Sequence, residues 1–199
     1  MSDDNIILRS GMQFADLLRY KNVDVAGVWE KADRVIALME RATGVGDARE
    51  ALKEPGKEGL LLAHSKLFGG TGSLRQSVIA ARYRGQDCPE PQFIDRSLDN
   101  FFTWMSAESM ADIHPIEKAA LVFTRIMDIW PFESGNLTVA MVLANAFLNK
   151  DGFPPFFIEP GQLAEFEKVI GMAISIETQP LVNVIHSTIK RELENLARG

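Results

Sequence analysis

The stretch Trp130-Pro131-Phe132-Glu133-Ser134-Gly135-Asn136 stands between two strongly apolar segments of helical period. A Gly-Asn step into a helix presents unpaired backbone N–H groups at the positive end of the helix dipole, a site suited to phosphate or another anion. Gly135 and Asn136 are therefore candidates for binding an anion such as phosphate, with Glu133, Ser134 and Thr138 beside them. The same features describe an ordinary loop entering a helix, so both readings stand at this point. Trp130 is either an aromatic platform for a ligand or a core side chain, and an indole beside Pro131-Phe132 favours the core. The three histidines, His64, His114 and His186, have no i, i+4 pairing, and Cys88 is the only cysteine, so neither a zinc site nor an internal disulfide is expected.

Helices must position this loop. Apolar residues Val28, Ala32, Val35, Ile36 and Met39 recur at steps of three and four between Gly27 and Ala42, and charges fill the other faces. A shorter helix is expected around Met12–Tyr20 and another over Glu58–Phe68, with His64 at the core edge. Glycines in Ala42–Asp47 interrupt the pattern. Leu74–Tyr83, short, partly β-branched and bounded by glycines, reads as a small β-hairpin flap. Helices follow over Pro91–Ala107, Pro115–Ile129, Leu137–Leu148, Gln162–Ile176 and Pro180–Leu196. The start at residue 115 is the best marked. His114 stands at the N-cap, Pro115 at the first helical position and Glu117 in the first turn, so His114 reads as a helix-start residue and not a catalytic one. The expected fold class is all-α, a helical bundle with one small β-hairpin flap.

Composition bounds the partners. The chain has 199 residues with 21 Lys and Arg against 27 Asp and Glu, a formal charge of −6. Such an acidic balance argues against non-specific nucleic-acid binding. No stretch approaches the ~20 apolar residues of a membrane span. The acidic start MSDDN is unlike a signal peptide, so a cytoplasmic location is the expectation. Trp29 and Phe166, taken as exposed aromatics, leave a homodimer open.

Residues from about Leu60 to Ile158 resemble the Fic/Doc (Fido) family, whose signature is His-Pro-Phe-x-Asp/Glu-Gly-Asn-Gly-Arg-x-x-Arg. The match runs through His114-Pro115-Ile116-Glu117 entering the preceding helix, Pro131-Phe132, Gly135-Asn136, Asn145, and Gly152-Phe153-Pro154-Pro155. Upstream, Gly72-Ser73-Leu74-Arg75 and Pro89-Glu90-Pro91 resemble the segments flanking the family's flap. The resemblance implies three parts in one unit: an N-terminal helical region (1–59) packed on a Fic-like core (60–160), followed by C-terminal helices (161–199). It also implies AMP transfer from ATP with Mg2+ to a protein hydroxyl, with the motif histidine as base, an acidic residue holding the metal and arginines on the phosphates. The flap would hold a protein or peptide target by strand-like pairing, with Arg75, Val78 and Ile79 as candidates and Arg82 and Arg84 nearby.

The chain departs from that pattern where the chemistry lies. Trp130 takes the base position, Ser134 the acidic one, Leu137 the second glycine, and Thr138 and Met141 the arginines. Glu133 is acidic but one residue early. An intact catalytic set is therefore not expected, nor a bound metal, and ATP with Mg2+ enters only through the resemblance. The leading expectation is a degenerate Fic-domain protein without AMP transfer, acting as a binding or regulatory module through flap and loop. The alternative is a divergent nucleotidyl- or phosphate-group transferase whose base comes from Glu133 or a histidine brought in by folding. A structural remnant without ligand is the third reading. Thr188–Glu192 and Thr43–Asp47 have the spacing of the family's autoinhibitory Ser/Thr-x-x-x-Glu motif but lack the Gly or Asn after it, and read as solvated helix faces.

Overall fold

The structure, a computed structural model, describes residues 17, 23–79, 88–175 and 177–198. Its elements are α1 (Ala26–Met39), α2 (Val45–Ala51), α3 (Lys57–Phe68), α4 (Pro91–Met105), α5 (Pro115–Ile129), α6 (Asn136–Lys150), α7 (Leu163–Ile174) and α8 (Gln179–Arg198). Short 3-10 turns occupy Glu108–Met110 and Pro160–Gln162.

The centre is α6. Every residue from Asn136 to Ala146 is buried, as is Leu148. A helix apolar on all sides needs neighbours on all sides. The short loop 130–135 folds α5 back along α6, while α1, α2 and α3 cover its other faces. Helices α7 and α8 pack on the far side of α5, and α4 rests against α5 and α3. Lys57 reinforces the α3–α4 contact, its Nζ lying 3.0 Å from Asp95 Oδ1 and 2.7 Å from Asp99 Oδ1.

Two asparagines of α6 manage the non-helical chain on either side. Asn145 Nδ2 donates to the Phe156 carbonyl and its Oδ1 accepts from the Phe156 N–H, both at 2.9 Å. The clasp lies inside the core, where Phe156 and Phe157 are fully buried, so no water replaces it.

The structure bears out the start of α5. His114 Nδ1 accepts from the Ile116 N–H at 3.3 Å, and Pro115 is the first helical residue. Burial first, and then nearby His186, push the His114 pKa down to about 4, with Asp151 opposing. Only the neutral ring offers Nδ1 as an acceptor.

Other expectations need correction. Among the described residues there is no strand: 74–79 is irregular chain, with one main-chain bond to its return, from Cys88 N–H to the Ile79 carbonyl at 3.2 Å. Arg82, Arg84 and the rest of the expected hairpin lie outside the described residues, as does the Met12–Tyr20 helix apart from Leu17. Helix α2 was not expected, since glycines surround its start. Gly44 caps it in the left-handed region at φ 57, and Gly46 sits in its first turn. Phe166 is not exposed but 3% accessible in the core, and Trp29 is half-buried beneath Arg49, whose guanidinium lies 4.6 Å from the ring centroid.

Replacing Asn145 by Ala strands two buried main-chain groups of Phe156, at a cost of about 2–4 kcal/mol. Calorimetric unfolding of N145A is expected to show Tm lower by roughly 4–16 °C. A second expectation concerns pH. Because His114 titrates lower in the folded than in the unfolded chain, the unfolded chain binds more protons between the ordinary histidine value and about 4. The stability that depends on neutral His114 is therefore complete above pH ~6.5 and is lost as pH drops towards 4. His114→Asn keeps a capping side chain without the titration, and denaturant unfolding across that window should show a shallower loss for the variant.

Candidate functional site

The loop between α5 and α6 is held from four directions. Trp130 closes α5 with its N–H on the Ile126 carbonyl at 2.8 Å, in the left-handed region at φ 50. Its indole is half-buried against the core. Asn136 folds back over the loop, its Oδ1 accepting from Phe132 N–H at 2.9 Å and its Nδ2 donating to Phe132 carbonyl at 2.8 Å. Gly135 adopts φ 79, and a Cβ there would come 2.3 Å from the Phe68 ring. No larger residue fits that turn without moving α3.

From α3, His64 stacks on Phe132 with ring centroids 3.9 Å apart and planes 14° from parallel. Its Nε2 lies 3.1 Å from the Ser134 carbonyl. Since a carbonyl only accepts, Nε2 carries the proton and Nδ1 keeps a lone pair. That Nδ1 is buried and has no partner. Burial lowers the His64 pKa, while the Ser134 carbonyl and nearby Glu40 act the other way.

The approach to the flap supplies the third support. Arg75 was expected to face a target, yet it is completely buried. Its Nε donates to the Trp130 carbonyl at 2.7 Å, one Nη to the Ser77 carbonyl at 2.6 Å and the other to the Pro89 carbonyl. Its main-chain N–H reaches the Pro131 carbonyl at 2.9 Å. Glu133 answers from the loop. Its carboxylate accepts from Ser77 Oγ at 2.5 Å, Gln76 N–H at 2.9 Å and Ser77 N–H at 3.1 Å. The Ser77 hydroxyl first, then the two main-chain donors and nearby Arg75, hold its pKa below the ordinary glutamate value. Val78 is 69% exposed and Ile79 partly so, leaving these two as the accessible flap candidates.

The fourth support was missed in the sequence. Glu40, just past the end of α1, places Oε2 3.0 Å from the Thr138 N–H in the first turn of α6. An internal carboxylate thus satisfies a donor that would otherwise face an anion. Neither stretch suggested by autoinhibitory spacing is involved in this contact. Glu192, from the C-terminal stretch, is instead bonded to Lys31 at 3.0 Å. The signal was concealed by type: Ile36 stands four residues before Glu40 where the pattern has Ser or Thr, and Arg41 follows where it has Gly or Asn. Arg41 nevertheless takes the left-handed backbone those residues favour, at φ 55.

The predicted anion set is therefore assembled but largely committed. Asn136 has both amide atoms engaged, Glu133 serves the flap, and Thr138 is buried with its N–H capped. Thr138 Oγ1 has no partner, and Glu133 and Ser134 are the exposed side chains of the set. Leu137 is 8% accessible and Met141 wholly buried, so apolar bulk fills the positions where the motif has glycine and arginine. Ser134 is neutral and the Glu133 carboxylate is spent on three donors, a poor set for Mg2+. Among the described residues, no group of three His, Cys, Asp or Glu side chains converges on a metal position. None of the described helices is long and apolar enough to cross a membrane.

Comparison with known proteins gives one consistent likeness. Residues 56–148 match the model of the Fic/DOC family. Protein adenylyltransferase Fic of Nematostella vectensis is 26% identical over 138 residues, which is 66% of this chain and 31% of that protein. Protein adenylyltransferase fic-1 of Caenorhabditis elegans is 26% identical over 129 residues, 63% of this chain and 25% of that protein. The chain thus spans a third or less of the length of these two curated relatives. Among solved structures, Fic-1 (aa134–508) from C. elegans superimposes with TM-score 0.69 at 17% identity, covering 98% of this chain and 72% of that one. A Fic-domain-containing signalling protein from Bacteroides thetaiotaomicron gives 0.66 at 19% identity, over 77% and 68%. Family model, relatives and fold all liken this chain to the Fic/DOC family, and the matched residues 56–148 include the loop that the sequence singled out.

Proposed function

We propose that this chain is a Fic-fold binding or regulatory module that does not transfer AMP. The observation that carries the reading is the closed entrance to α6: Glu40 caps Thr138 while Leu137 and Met141 are buried where the family motif has glycine and arginine. A nucleotide phosphate arriving there meets a carboxylate already bonded to the donor and no motif arginine. At the base position the indole of Trp130 has no lone pair to take a proton from a hydroxyl. The partner is a protein or peptide segment lying along the chain at 74–79, where Val78 is open to it.

One observation favours the rival, a divergent nucleotidyl- or phosphate-group transferase acting on protein hydroxyls. His64 lies against the motif loop with an unshared lone pair on Nδ1. That nitrogen has no solvent-facing surface, so accepting a proton from a substrate hydroxyl requires α3 or the loop to move. Glu133, the other substitute base, is already hydrogen-bonded by three donors and titrates below the ordinary glutamate value.

Calorimetric titration with ATP, with and without Mg2+, separates these readings. The wild-type chain should give no saturable heat up to about millimolar ATP. Glu40→Ala, which frees the Thr138 N–H, should gain weak binding that Mg2+ does not strengthen. Transfer of AMP or phosphate to any protein by the wild-type chain, abolished by His64→Ala in a variant that still folds, would overturn the proposal in favour of the transferase.

A further inference from the structure

A cavity lies away from the motif loop, between α7 and α8. It encloses about 440 Å³, within the range of small-molecule sites. Phe166, Val169 and Val184 supply apolar wall, while Thr188, Glu165 and Arg191 bring polar groups to the same lining. None of these residues takes part in the loop, the flap or the Glu40 cap.

Arg191 is the informative member. Its Nε donates to Glu192 Oε1 at 3.3 Å. Glu192 is only 5% accessible and is itself held by Lys31, whose Nζ lies 3.0 and 3.2 Å from its two oxygens. The root of the guanidinium is therefore fixed by a buried, paired carboxylate. One terminal nitrogen, Nη2, is shut off from solvent and has no acceptor. An unmatched donor on a charged group inside a protein is costly, so an acceptor brought to it would be stabilised. The side chain as a whole is 42% exposed, which leaves room for the outer guanidinium to turn towards an acceptor in the cavity.

We propose that this cavity binds a small amphipathic monocarboxylate. The carboxylate pairs with the Arg191 guanidinium, a geometry for which its planar fork is suited. The Thr188 hydroxyl adds a donor, and a compact aliphatic or aromatic body covers Phe166, Val169 and Val184. Glu165, on the same lining, disfavours a second negative charge and so selects monoacids over diacids.

The test uses the full chain, with hexanoate, hexanamide and adipate as probes in a calorimetric titration. Hexanoate should bind saturably at about one site per chain, at least about tenfold tighter than hexanamide or adipate. Arg191→Gln, verified as folded by circular dichroism, should lose at least about tenfold towards hexanoate and nothing towards hexanamide. Glu165→Gln should recover binding of adipate. Equal binding of acid and amide, hexanoate affinity unchanged in R191Q, or no saturation by hexanoate up to about 10 mM would each overturn the assignment. None of these outcomes bears on AMP transfer, so the inference stands or falls apart from the reading of the motif loop.

Discussion

Burying α6 on all sides sets the terms for everything around it. Such a helix cannot leave the polar groups at its start, or those of the chain that enters and leaves it, to water. Each must be met by a side chain from within the fold. Asn136 meets both main-chain groups of Phe132 before the helix, Asn145 meets both of Phe156 after it, and Glu40 meets Thr138 in its first turn. The two asparagine contacts span 4 and 11 residues of sequence, while the Glu40 contact spans 98. They fix where the motif loop lies and decide what donors it can still offer.

The same accounting explains why the loop is a weak receptor for an anion. A helix N-terminus attracts negative charge only while its donors are open. Glu40 supplies that charge internally, tethered by the chain and without the entropy cost of capturing a free ligand. The left-handed backbone at Arg41 is the conformational cost of bringing the end of α1 to this place, since a side-chain-bearing residue there gives up roughly 1–2 kcal/mol. On the other flank, Glu133 and Arg75 fasten the loop to the segment at 75–77 and to Pro89. A carboxylate and a guanidinium that could have met ligands are instead spent on main-chain partners.

Local signals were legible where the physics is local. His114-Pro115 announced the start of α5 because capping involves adjacent residues, and the strongly apolar run 137–148 announced a helix. The loop itself was found from its Gly-Asn step. What escaped was set by distance or by atypical residues. Helix α2 begins at glycines that normally break helices, and only its packing on α3 and α6 makes it worth forming. Glu40 lies 98 residues from Thr138 and carries neither of the flanking types that mark such a role. Arg75 reads in the sequence as a flap residue turned towards a target. Its burial depends on three carbonyls, those of Trp130, Ser77 and Pro89, which only the folded chain brings together.

Most of the positions at which this chain departs from the Fic/DOC motif are buried, Ser134 being the exposed exception. Leu137, Thr138 and Met141 lie on consecutive turns of α6, all buried, with Glu40 at their edge and the half-buried Trp130 at the end of α5. An arginine at 141 would bring a charge into a place wholly closed to water, where Glu40 is already engaged with the main chain. A glycine at 137 would remove apolar surface that now packs against neighbouring helices. No single residue therefore separates this site from a phosphate cradle. Its apolar residues and its internal carboxylate support one another, and reversing any one alone leaves an unpaired charge or a void.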